Sequence, residues 1–203
     1  MNKGRTDRLF AATALVGQAR ADLTDALVDL ADILSSSVNL DDVLNRILDS
    51  LKVVAPSDSA SLFLLDGDEL VIRAARGFSD IGSMIGMRLR LADFPLDREL
   101  VDSGSPRILE DARIIPEWVG DEPVQESRQI RGWMGIPLIA RGKVIGMLAI
   151  DSHTPNAFTE THLAAASAFA GFAALTVENA KLLDQTRQKL RELDAVNRIS
   201  AEV

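Results

Sequence analysis

His153 and His162 are the only histidines of the chain, and cysteine and tyrosine are absent. Thiol nucleophiles, thiolate metal sites, disulfides and thioether cofactor attachment are thereby excluded. The two histidines flank the Pro155 turn, with Asp151 and Glu160 nearby, so a metal site or a proton relay is the first chemistry to weigh. A metal needs converging ligands and ordinarily a third protein donor. The pair reads better as surface residues at a strand end and a helix start, and neither a metal site nor a catalytic residue is assigned. What remains is recognition chemistry: Arg88, Arg90, Arg107, Arg113, Arg128 and Arg131, with Trp118 and Trp133. Guanidinium forks and aromatic faces suit a carboxylate, phosphate or nucleobase-like ligand. The competing reading pairs these arginines with Asp93, Glu110, Asp111, Glu117 and Glu122 at the surface, where each pair contributes little.

Composition bounds what can position such residues. The 203 residues are 47% apolar and 26% charged, an ordinary globular balance, and allow one domain of usual size plus extensions. The net charge of −8 is dispersed, which disfavours a nucleic-acid surface. Lys3, Arg5 and Arg8 before Leu9 to Gly17 fit part of a secretory signal, but that stretch is rich in alanine and threonine and belongs to a longer periodic pattern. No run approaches the roughly 20 apolar residues of a membrane helix. A cytoplasmic protein with no membrane and no nucleic-acid partner is expected.

The ends read as helices and the middle as mixed. Leu9, Val16, Leu23 and Leu30, with alanines between them, form a narrow apolar seam over residues 1–36, as in a coiled coil. Asn39 to Asp42 caps a second helix running to about Val54, with Val43, Leu44, Ile47, Leu48 and Leu51 as its buried stripe. Ala60 to Leu65 and Leu70 to Ala75 make a hairpin around Asp66-Gly67-Asp68, and a third strand falls near Met87 to Leu91. Pro95 opens a short helix with Asp93 as its cap and Gly104 just past its end. A short strand follows over residues 106–111. The twenty residues up to Gly132 are then long enough to form a functional loop or an irregular helix. Trp133 to Ser152 is a second hairpin, turning at Arg141-Gly142-Lys143. From about Glu160 one helix continues past Ser200: its first half is apolar enough to lie on the sheet, and its second half narrows to a seam through Leu183, Leu190, Leu193 and Asn197. Such a helix needs a partner, since isolated helices are marginal in water.

These residues resemble the GAF domain family. The resemblance rests on Asn39-Leu-Asp-Asp-Val-Leu44, Ala74-Ala-Arg-Gly77, Gly104-Ser-Pro-Arg-Ile-Leu-Glu-Asp111, Met134 to Asp151, Pro155-Asn-Ala-Phe-Thr-Glu160 and Glu178-Asn-Ala-Lys-Leu182. It implies an α+β fold: an antiparallel sheet of about five to six strands, helices of both termini on one face, and a ligand pocket on the other. Residues 1–36 would be an N-terminal helix, 37–177 the GAF domain and 178–203 a signalling helix leading to a downstream effector domain. The last expectation is strengthened by the likeness of Leu193 to Ser200 to the approach Leu27 to Leu34.

By the same resemblance Arg90, Phe94, Asp111, Arg113, Trp118, Arg128, Arg131 and Trp133 border the pocket. The seam positions Leu9, Val16, Leu23, Leu30, Leu183, Leu190 and Leu193 would join two copies. Bilin-carrying and sulfoxide-reducing members need cysteine, and haem-binding members a histidine within 121–131; neither is present, so no bilin, haem or metal is expected and the ligand stays unidentified. Of the cyclic-nucleotide signature Asn156 and Phe158 remain, but Ala157 replaces the lysine and Thr161-His162 the acidic pair. The implied function is a non-catalytic, dimeric sensor of a small molecule. The alternatives are an enzyme acting on a small metabolite in the same pocket and a structural dimerisation module with a vestigial pocket.

Overall fold

The computed structural model describes residues 39–119 and 128–201. Leu9, Val16, Leu23 and Leu30, and with them the expected N-terminal helix, lie outside the described residues.

Helix α1, Leu40–Val54, starts where Asn39 Oδ1 accepts the Asp41 N–H at 3.3 Å. Its stripe of Val43, Leu44, Ile47, Leu48 and Leu51 is buried. Strands β1 (Ser59–Asp66) and β2 (Glu69–Arg76) turn at Gly67, whose φ of 64° is the left-handed region that glycine enters without cost. A one-turn helix α2, Ile81–Met84, then leads to β3, Arg88–Arg90. Helix α3, Pro95–Ser103, ends on Gly104 in the left-handed conformation. Asp93 does not cap it. It lies instead in a 3-10 turn, Leu91–Asp93, paired with Arg90, and the Phe94 that occupies the cap position offers no side-chain acceptor. Strand β4, Arg107–Leu109, is followed by two 3-10 turns, Ala112–Ile114 and Pro116–Val119. Then come β5 (Gly132–Ala140), β6 (Lys143–Ser152) and the long helix α4, Glu160–Ala201. Arg141 and Gly142 both have positive φ, 50° and 74°, the geometry of a tight two-residue hairpin turn.

The strands form one antiparallel sheet in the order β3-β2-β1-β6-β5-β4. Because side chains alternate across a strand, the sheet separates two cores. Leu62, Met134, Ile136, Leu148 and Ile150 join α1 and the first half of α4, including Ala166, Phe169, Ala170 and Ala173. Phe63, Ile72, Trp133, Met147 and Ala149 face the other way and join Met84, Leu91 and Leu100. A bulge leaves Arg73 without a partner on β1, since Leu62 pairs with Ala74 and Phe63 with Ile72. Beside it Arg73 reaches Asp41 at 2.7 Å and Arg76 reaches Asp49 at 2.6 Å, tying β2 to α1.

By length and hydropathy the segment Glu160–Glu192 of α4 would pass for a membrane span, contrary to the expectation that no segment does. Its apolar first half is accounted for by the sheet-facing core it completes.

Candidate ligand pocket

The face of the sheet turned away from α1 and α4 carries a cavity of about 100 Å³. Its floor is built by β1, β2, β5 and β6 through Ser61, Phe63, Ile72, Trp133, Met147 and Ala149. Phe78, Leu89 and Phe94 supply one side, and Asp97 enters from the first turn of α3. Trp118, from the second 3-10 turn, meets Trp133 edge to face, with ring centroids 5.6 Å apart and planes at 66°, a favoured aromatic geometry. Trp133 can lie along the strand because the next position on its face is a glycine. A Cβ on Gly135 would stand 2.1 Å from the Trp133 ring and 2.6 Å from Leu100.

The polar groups of this wall are few. Asp151 is 3% exposed, and its Oδ2 accepts the Ser59 hydroxyl at 2.8 Å. The Trp118 indole N–H is buried with no hydrogen-bond partner, a costly state for a donor. No lysine, arginine or histidine is among the described lining residues.

Of the residues expected at the pocket, Phe94, Trp118 and Trp133 line it together. The others stand outside. Arg90 is exposed on β3 and paired with Asp93 at 2.8 Å, and Arg113 and Arg128 are exposed. Arg131 grips Asp111 side-on with two donors of one guanidinium edge, Nε to Oδ1 at 2.8 Å and Nη2 to Oδ2, and so ties the start of β5 to the segment after β4. Asp111 is held down at about 2, chiefly by the Arg131 guanidinium, with the Arg113 N–H adding to it against partial burial. Arg88 and Arg107 are likewise spent on Asp66, Glu69 and Glu99. The histidines do not converge: His153 lies 3.8 Å from Asp58, while His162 exchanges hydrogen bonds with Thr159 at the start of α4. Among the described residues there is no group of three or more metal-ligating side chains.

The grip of Arg131 gives a pH-dependent contribution to stability. A carboxylate whose folded value lies below its ordinary value near 4 stabilises the fold above that value, and this is lost as pH falls towards the folded value. For Asp111 the window is from about 4 down to about 2. Asp111→Asn is expected to lower the urea midpoint at neutral pH and to flatten its fall between those two pH values. A variant with the pH profile of the parent would show that the pair does not stabilise the fold.

A family model described as GAF domain matches residues 37–178. The anaerobic nitric oxide reductase transcription regulator NorR of Aeromonas salmonicida is 25% identical over 170 residues, 83% of this chain but 33% of that protein. The chain thus spans about a third of the length of the curated relatives it matches. The GAF domain of a phosphoenolpyruvate-protein phosphotransferase from Coxiella burnetii superposes with a TM-score of 0.69 at 23% identity, over 81% of this chain and 98% of that one. A free methionine-R-sulfoxide reductase from Neisseria meningitidis gives 0.63 at 18% identity, over 79% of this chain and 91% of that one, a likeness of fold alone. With the sheet, the flanking helices and the family match in agreement over residues 37–178, the chain belongs to the GAF domain family.

Proposed function

We propose that the chain is the sensory module of a larger signal-transduction protein, binding a small molecule in the pocket and passing its occupancy to a neighbouring effector through a dimer of terminal helices. One observation carries the reading. The strands that floor the cavity with Trp133, Met147 and Ala149 present Met134, Ile136, Leu148 and Ile150, on their opposite face, to the core that seats α4. A ligand that moves β5 and β6 therefore moves the surface on which α4 rests. It can bias α4 only by its differential affinity for the two arrangements. The similarity to a transcription regulator of which the chain covers about a third supports a module that works beside other domains.

Native mass spectrometry of the freshly purified chain is expected to show a dimer that retains or takes up a small molecule. Spin labels at Arg187 in the two copies should then report a change of separation on binding. A monomer at micromolar concentration, or a separation indifferent to occupancy, would overturn the proposal.

A further inference from the structure

We infer that the pocket takes a small neutral molecule, a compact apolar body with one hydrogen-bond acceptor such as a carbonyl oxygen, which receives the Trp118 indole N–H. This rests on the sensor reading of the same cavity and names the class of its ligand. Among the described residues one buried side-chain polar atom lacks a hydrogen-bond partner, and it is the indole nitrogen of Trp118. Trp118 stands on the wall of this cavity, against Trp133. A buried indole N–H ordinarily finds an acceptor, and an unmet one is costly. An indole only donates, so whatever completes it must bring a lone pair. A trapped water suits the place poorly. An ordered buried water makes about three hydrogen bonds, and much of this wall, Phe63, Ile72, Phe78, Phe94 and Met147, has little to offer it.

The rest of the wall argues against a charge on the ligand. No lysine, arginine or histidine is among the described lining residues, so an anion would leave water with no opposite charge there to receive it. Arg90 and Arg131 are turned to Asp93 and Asp111 instead. A cation finds no spare carboxylate, because Asp97 and Asp151 are both engaged within the chain, Asp151 with the Ser59 hydroxyl at 2.8 Å among its partners. Size narrows the class further. The cavity of about 100 Å³ is smaller than the roughly 150 Å³ that accommodates benzene, so the ligand has only a few heavy atoms.

Butanone, 2-methylbut-1-ene, propionate and sec-butylammonium share one heavy-atom skeleton and differ in acceptor and charge. The chain's two tryptophans both line this cavity, so a proton–nitrogen NMR spectrum carries two indole resonances and that of Trp118 reports the bond directly. Butanone is expected to bind saturably and to move the Trp118 indole proton downfield. The alkene, titrated to its solubility, should leave that proton upfield of the butanone-bound position. At matched ionic strength propionate and sec-butylammonium are expected to bind at least about tenfold more weakly than butanone. Trp118→Phe keeps a ring and removes the donor, and should weaken butanone about three- to tenfold as read on the Trp133 resonance, with the alkene changed less than about twofold. If that variant does not fold, the indole shift and the probe series on the parent protein still decide. An unmoved Trp118 resonance, a charged probe binding as tightly as butanone, a Trp118→Phe variant that binds butanone undiminished, or no saturable response to butanone up to about 100 mM overturns the inference. A pocket that prefers a charged probe would sink the neutral class and leave the sensor reading standing. A monomeric chain, or a helix separation indifferent to occupancy, would sink the sensor reading whatever the pocket prefers.

Discussion

Phe169→Ala is expected to cost about 3–5 kcal/mol of unfolding free energy, a large share of the total stability of an ordinary domain. Phe169 is the largest of the fully buried side chains among the described residues and belongs to the core that α4 shares with α1 and the sheet. Its removal loses the transfer free energy of a ring and leaves a void that a sheet held on both sides cannot close. In urea the midpoint should fall while the slope stays constant, since the folded state still buries nearly the same surface. A shift worth less than about 1 kcal/mol would mean that α4 is not docked as described, and the proposed route from pocket to helix would go with it.

Helices α1, α3 and α4 and the two hairpins were legible because their signals are local. Asn39 before an apolar stripe at helical spacing, and Arg141-Gly142 between two apolar runs, each specify an element within a few residues. Asp93 misled because a capping side chain is recognised by type alone. Whether it caps depends on the turn before it, and here Leu91–Asp93 closes as a 3-10 turn in which Asp93 pairs with Arg90.

The pocket was legible in its aromatics and not in its charges. Phe94, Trp118 and Trp133 are large apolar side chains next to loops, and burial on the open face of the sheet is their natural fate. The arginines could not be placed from sequence, because an acidic partner far along the chain, as Asp111 is from Arg131, decides whether a guanidinium serves a ligand or the fold. Asp151 was available to a stricter reading. On β6 the even positions Leu148 and Ile150 face the helices, so Met147, Ala149 and Asp151 share the opposite face, and a carboxylate there has to be buried against something polar.

Charging α4 at Leu183→Glu and Leu190→Glu together is expected to raise the dissociation constant of the proposed dimer at least about a thousandfold while leaving the domain folded. In a single chain these leucines are 51% and 56% exposed, so nothing among the described residues explains them. Leu175 and Leu182, also exposed, fall with them inside an arc of about 100° on the helix surface, broad enough for a packed face. From Lys181 to Glu192 the helix is exposed along its whole length, and an unpartnered helix of that kind is marginal in water. Two copies packed along this face would bury four of the substituted leucines, and at about 1 kcal/mol or more for each the loss reaches about 4 kcal/mol, the stated change in affinity. Stability of the single domain should change by less than about 0.5 kcal/mol, because the substituted positions are on its surface. Sedimentation velocity over a concentration series reads the first effect and urea denaturation of the monomer the second. An unchanged dimer would move the interface elsewhere, whereas loss of the fold itself would mean that this face is covered within one chain.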